Sequence, residues 1–232
     1  MRITHADVWR NRPSERNSFV SNQAHLSFPF LRRKKVKKVL DVACGNGLGV
    51  SLPLMREGYE VHSFDKWKSS VDALEKNSQK EGLRAHARVS NMYEEFPYKT
   101  ACFDASFCFQ AIYHGDISQI ESALKEIKRV TKAGGYFFCT FIPYLIKEEK
   151  GRSFFRYTKK NGKIGRIYVR QDRDDPFLCY NLAKDCEYLV PHYYFTKDKL
   201  RSTLKKYFKD IHIQKVSREE KLSDLWFVRC RI

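Results

Sequence analysis

Acidic residues are scarce in this chain. Of its 232 residues, 27 are Asp or Glu against 44 Lys or Arg, a formal net charge of +17. No stretch approaches the roughly 20 apolar residues that a membrane helix needs, so no membrane span is expected. The first residues, "MRITHADVWRNRPSERNSF", are polar and lack the apolar segment of a secretion signal. Seven cysteines are present without any C-x-x-C pair, so no local zinc spacing exists and no metal site is expected. Their odd number, and the position of several inside apolar runs, reads as buried free thiols in a reducing compartment. Repeats and low-complexity tracts are absent. The expectation is a soluble, cytoplasmic protein with one domain over residues 1–232.

What is present fits a folded chain. Apolar residues make up 42% and aromatics 14%, and the length suffices for a full core. The positive charge is concentrated. Residues 1–38 hold ten Lys/Arg against two Asp/Glu, and residues 147–173 hold ten against three. Residues 1–35 read as a basic N-terminal arm. Two such segments suit an anionic partner, and they also suit general solubility.

From Val36 onward, strand and helix patterns alternate. "VKKVLDVA" is a buried-strand signal. Residues near 47–57 read as a helix stopped by Gly58. "YEVHSFD" is a second strand, and "KSSVDALEKNSQKEG" a helix stopped by Gly82. "LRAHARVS" is a third strand and "FDASFCFQAIYH" a fourth, with Phe as core and Asp104 starting it. The spacing of Ile117, Ile120, Leu124, Ile127 and Val130 predicts an amphipathic helix, closed by Gly134-Gly135. "YFFCTFI" is a fifth strand, with Cys139 in the core. Strands alternating with helices mean an α/β fold built on a parallel sheet. Residues 143–191 break the pattern. They read as an irregular insertion after the fifth strand, with "NGK" as a hairpin turn, on the side where open α/β sheets bind ligands. Thr196 is a good N-cap for a further helix, and "DIHIQKV" and "DLWFVRCRI" read as a final hairpin joined by "SREEKLS".

The turn "DVACGNGLG" joins the first strand to the first helix. Glycines there permit tight turns and close approach of a ligand, and a helix start offers unpaired N–H groups. A phosphate loop of the G-x-x-x-x-G-K-[ST] type fails, because no Lys-Ser/Thr follows. The dinucleotide pattern G-x-G-x-x-G is off by one, since the glycines are Gly45, Gly47 and Gly49. Two acidic residues frame the turn: Asp41 before it, and Asp65 at the end of the second strand. A carboxylate at Asp65 can accept both hydroxyls of a ribose.

"VLDVACGNGLG" resembles the first motif of class I S-adenosylmethionine-dependent methyltransferases, "VHSFD" their second and "FDASFCFQAIYH" their fourth-strand motif. "LKEIKRVTKAGGYFFCTF" resembles the helix, turn and fifth strand that follow. The resemblance covers about residues 36–142. "LVPHYYFTKDKLRSTLKKYF" also resembles the tail of small methyltransferases of the tellurite-resistance and ubiquinone-biosynthesis type. The resemblance implies a Rossmann-like seven-stranded mixed sheet of order 3-2-1-4-5-7-6, strand 7 antiparallel, with helices on both faces. It implies S-adenosylmethionine as cofactor. Asp41, Ala43, Gly45 and Gly47 would hold its amino-acid end and Asp65 its ribose. Lys66, Trp67, Asn91 and Met92 would lie about the adenine, and Gln110 and Ala111 beside the methionine portion. Family members usually carry Asp where this chain has Asn91, whose carbonyl can still accept from an amine.

Methyl transfer from a sulfonium is an in-line displacement, in which alignment does most of the work. A protonated acceptor must still lose its proton. His114 and His192 are the candidates, with Tyr113, Tyr193 and Tyr194 lining the acceptor pocket under the arm and residues 143–191. The Asn/Asp-Pro-Pro-aromatic run of exocyclic-amine enzymes is missing: "QAIYH" stands in its place. The expected reaction is methylation of a small-molecule acceptor. Two alternatives stay open. One is an RNA or ribonucleoprotein methyltransferase using basic segments 32–38 and 147–173, and the other a non-catalytic protein that binds the donor.

Overall fold

A computed structural model gives the structure, which is described for residues 23–158, 164–182, 189–216 and 224–232. In chain order the elements are α1 (Gln23–Arg33), β1 (Lys38–Val42), α2 (Ser51–Arg56), β2 (Glu60–Asp65), α3 (Lys68–Lys80), β3 (His86–Val89) and β4 (Phe103–Cys108). Then come α4 (Ile117–Val130), β5 (Thr131–Pro143), β6 (Lys147–Glu149), β7 (Arg152–Thr158), β8 (Ile164–Gln171) and β9 (Leu178–Asn181). β10 (Pro191–Phe195), α5 (Lys197–Lys205), β11 (Lys209–Val216) and β12 (Leu225–Arg231) complete the chain.

β3, β2, β1, β4 and β5 pair in that order, all parallel. β12 runs antiparallel beside β5, and β11 antiparallel beside β12. This is the expected 3-2-1-4-5-7-6 arrangement, with β12 and β11 in the last two places. The residues "SREEKLS" that join them lie outside the described residues. Period-two alternation sends each strand's side chains to two cores. Leu40, Val42, Phe64, Phe137 and Phe141 meet α4 and α5 on one face. Val39, Val61, Phe107 and Phe138 meet α1, α2 and α3 on the other. The Phe-rich fourth strand and Cys139 are core, as expected. Asp104 ties the strand starts together, its Oδ2 accepting the N–H groups of Lys37 and Lys38 at 2.9 Å each.

Local chemistry sets several boundaries. Asp116 and Gln119 form a reciprocal capping box at the start of α4. Thr196 caps α5, its hydroxyl accepting the N–H of Lys199 at 3.2 Å. Gly58 and Gly82 end α2 and α3 in left-handed backbone. The fourth strand stops at Cys108, earlier than its apolar run suggests, and residues 109–116 form the loop above it. α4 also ends earlier than expected, at Val130, and β5 begins at once. The cause is Thr131, whose hydroxyl donates to the Ile127 carbonyl (2.7 Å) and meets Ser106 Oγ (2.7 Å). Gly134-Gly135 belong to the strand instead, where a Cβ on Gly135 would stand 2.7 Å from the Asp104 carbonyl.

The described residues of 143–191 are not irregular. β6, β7, β8 and β9 form an antiparallel sheet, and β10 returns to pair with β9 and, in parallel, with the end of β5. The structure thus has twelve strands among its described residues, where the resemblance implied seven. "NGK" lies outside the described residues. Of the basic arm, residues 23–33 form α1, a core helix: Phe30 meets Tyr136 and Phe138 edge-on, at 4.7 and 5.8 Å. Lys37 and Lys38 sit at the amino ends of the strands, whereas β6, β7 and β8 follow the carboxyl end of β5, so segment 32–38 and the described part of 147–173 lie at opposite ends of the sheet. No described helix is long and apolar enough to cross a membrane.

Candidate functional site

The expected cofactor residues gather along the carboxyl ends of the parallel strands. The turn after β1 is left-handed at Ala43 (φ 57°), Gly45 (φ 56°) and Gly47 (φ 79°), a conformation costly for residues with a Cβ. The Cys44 N–H donates to the Phe64 carbonyl at 3.0 Å and holds the turn to β2. The glycines serve different ends. A Cβ on Gly47 would stand 2.1 Å from Leu74 Cδ1, so Gly47 lets α3 pack against the turn. The Gly45 N–H donates to Asp65 Oδ2 at 2.9 Å, and the Trp67 N–H to Asp65 Oδ1 at 2.9 Å. Asp65 is 8% exposed, and burial raises its pKa against these bonds.

Asp41 lies beneath the turn, 2% exposed. Ser51 donates to its Oδ2 at 2.5 Å, and Ser51 Oγ in turn meets Ser63 Oγ at 2.8 Å. Burial pushes the Asp41 carboxyl up to about 7, with the Ser51 hydrogen bond opposing and the Asp65 charge adding. Lys66 is exposed, with its Nζ 5.6 Å from the ring of the half-buried Trp67.

Past β3, Asn91 Oδ1 accepts the N–H of Tyr93 at 3.2 Å, and its Nδ2 donates to Glu94 at 2.7 Å. Met92 packs on the core. Past β4, Gln110 has φ 55° and donates its N–H to Thr140 Oγ1 at 2.8 Å, which carries the chain over the end of β5. The Ala111 carbonyl accepts the His114 N–H at 3.0 Å. A Cβ on Gly115 would stand 2.9 Å from the Tyr93 ring, so this loop packs on the segment after β3.

The three candidates for acceptor chemistry come together. The rings of His114 and His192 meet edge to face at 4.6 Å, and Tyr113 lies 4.6 Å from His114 and 6.1 Å from His192. The Tyr193 N–H donates to the Tyr113 carbonyl at 2.8 Å and holds β10 to the loop after β4. His192 Nδ1 stands 3.0 Å from the Val190 carbonyl. A carbonyl only accepts, so this contact suits an N–H on Nδ1. Tyr193 and Tyr194 diverge. The Tyr193 hydroxyl donates to Asp175 at 2.7 Å, while Tyr194 packs with Val169 and Cys179 in the insertion.

Sequence reading missed Ser51, Ser63, Tyr93, Thr140 and Asp175. Each is an ordinary polar residue whose partner is distant in sequence. Only the period-two placement of Ser63 and Thr140 within strands hinted at a buried hydroxyl.

Residues 40–139 match the family model described as "Methyltransferase domain". A ubiquinone biosynthesis O-methyltransferase of Actinobacillus pleuropneumoniae is 28% identical over 115 residues, which are 48% of this chain and 48% of that protein. The chain thus spans about half the length of such curated relatives. Among solved structures, a Pyrococcus horikoshii OT3 protein superposes with a TM-score of 0.67 at 18% identity, covering 97% of this chain and 93% of that one. The 1,6-didemethyltoxoflavin-N1-methyltransferase of Burkholderia thailandensis, solved with S-adenosylhomocysteine, gives 0.62 at 16% identity, covering 97% and 80%. At these identities the structural likeness speaks for the fold.

Proposed function

We propose, from the match of residues 40–139 to the methyltransferase-domain model, that this chain is a class I S-adenosylmethionine-dependent methyltransferase acting on a protonated heteroatom of a small-molecule acceptor. The observation that carries the donor is Asp65, held at the tip of β2 by Gly45 and Trp67. Each carboxylate oxygen accepts two hydrogen bonds, so the group can take a ribose diol beside the Gly45 and Trp67 donors, the diol replacing the Ser70 hydroxyl and the Lys66 N–H that also donate to it. The left-handed turn at Ala43, Gly45 and Gly47 gives the amino-acid end of the donor a backbone wall. The buried Asp41 beneath it favours an ammonium or sulfonium by charge. Trp67 offers a ring face and Asn91 an acceptor for the adenine, with Lys66 and Met92 at its borders. Gln110 and Ala111 wall the methionine portion.

Bound S-adenosylmethionine supplies an electrophilic methyl group on a sulfonium. The chain supplies alignment and a place for the acceptor's proton. His192 is the general base that takes the acceptor's proton. His114 and Tyr113 pack around it and fix its ring. His114 and His192 are only 7% and 6% exposed, which favours a small acceptor over a macromolecular one. Two of the proteins named above, the ubiquinone-biosynthesis and the didemethyltoxoflavin enzymes, are small-molecule methyltransferases by their names.

Radiolabelled methyl transfer into cell extract, split into small-molecule, RNA and protein fractions, tests the reading. Label in the small-molecule fraction that disappears with Asp65→Ala supports it. Label confined to RNA or protein overturns the acceptor class. No label in any fraction, despite donor binding, would point to a non-catalytic binding protein.

A further inference from the structure

The antiparallel sheet of β6 to β9 leaves the core beyond the end of β5, and its two faces differ. Phe155, Val169 and Cys179 share the inner face, packed with Tyr144 and Tyr194. The outer face of β8 presents Arg166, Tyr168 and Arg170 at alternate positions, all exposed, with Tyr168 at 40%. The Arg166 guanidinium lies 4.7 Å over the Phe154 ring, and that of Arg170 lies 4.9 Å over the Tyr180 ring. Arg166 also pairs with Glu149. Leu182, 40% exposed, donates its N–H to the Tyr168 carbonyl and flanks the row. The described residues of segment 147–173 hold seven Lys/Arg against three Asp/Glu.

We propose that this outer face is a docking surface for single-stranded RNA. Alternate residues of a strand stand about 7 Å apart, so two guanidiniums flank one exposed ring. The guanidiniums suit phosphates and the ring suits a stacked base, the pairing by which single strands are held without sequence readout. Arg166 and Arg170 already rest on aromatic rings, so little side-chain freedom is lost on binding. An acidic protein would use the charges and leave Tyr168 idle. An anionic membrane needs a broad apolar face to insert, and the row offers Tyr168 and Leu182. His192 pairs in register with Cys179, on the inner face, so the surface is separate from the methyl-transfer site and independent of the acceptor.

The test is fluorescence anisotropy of the full chain with a labelled oligouridylate of about 12 nucleotides. Polyglutamate and anionic vesicles serve as competitors. Affinity should fall roughly tenfold to a hundredfold between about 50 and 200 mM salt. Tyr168→Ala should weaken binding about tenfold through lost stacking. Arg166→Gln with Arg170→Gln should weaken it at least as much and flatten the salt slope. Lys34→Gln with Lys35→Gln, at the other end of the sheet, should leave it unchanged. Donor binding by every variant, measured alongside, reports that each is folded. Tyr168→Ala binding as tightly as the parent, polyglutamate or vesicles competing as well as RNA, or no salt-dependent binding would each overturn the proposal.

Discussion

Asp65 and Gly45 are joined by one hydrogen bond, 2.9 Å from the glycine N–H to Oδ2, which ties the tip of β2 to the turn after β1. The other oxygen takes the N–H of Trp67 at the start of α3. One carboxylate therefore fixes both the turn and the helix that flank the proposed donor site. Asp65→Ala leaves two backbone donors without their acceptor, at about 1–3 kcal/mol each where they stay buried. The variant should melt several degrees lower in a thermal scan. An unchanged melting temperature would mean that Asp65 does not organise the turn.

Gly47 tests whether that turn is built for packing as well as for ligand. Gly47→Ala places a methyl group against Leu74 in left-handed backbone. It should cost about 2–4 kcal/mol in denaturant unfolding. In a double-mutant cycle with Leu74→Ala, the two effects should fall short of additivity by about 1 kcal/mol or more. Strict additivity would separate the two residues.

The Asp41 carboxyl, pushed up to about 7 by burial, should make donor binding depend on pH. A cationic ligand favours the charged carboxylate, so binding releases a proton below that pKa. Affinity should therefore fall as pH drops through about 7, by at most about tenfold per pH unit, and level off above it. The folded pKa lies above the unfolded value of 3.8, so the ligand-free chain binds the extra proton between 3.8 and about 7. This group's contribution then lowers stability as pH rises across that window. Asp41→Asn should flatten both profiles. Calorimetric titrations at pH 6, 7 and 8 read the first, and denaturant curves the second.

His192→Gln keeps a side chain near Val190 and removes the base. It should lower kcat by about a hundredfold to ten-thousandfold with the donor affinity unchanged. Steady-state kinetics with the acceptor found in the extract experiment measures this split. A loss of donor affinity in place of kcat would move His192 out of the acceptor's pocket.

The alternating core was legible because each parallel strand is a short apolar run and each helix carries its own stop. Asp65 was legible because an acidic residue at that distance from a glycine turn is a local pattern. The end of α4 was not, since Gly134-Gly135 look like a stop while the real one is made by Thr131 through Ile127 and Ser106. The sheet of β6 to β9 was missed because its strands are rich in charge and their apolar positions face a small satellite core. The depth of Asp41 beneath the turn was not legible. Its burial follows from Ser51 and Ser63, which no sequence spacing links to it.

Isothermal titration of S-adenosylmethionine into the pure chain tests the central claim most directly. The account predicts binding near one to one for the parent chain, and loss of most of that affinity in Asp65→Ala that is still folded by circular dichroism. Absence of binding to the parent chain, or equal binding by the folded variant, would contradict it.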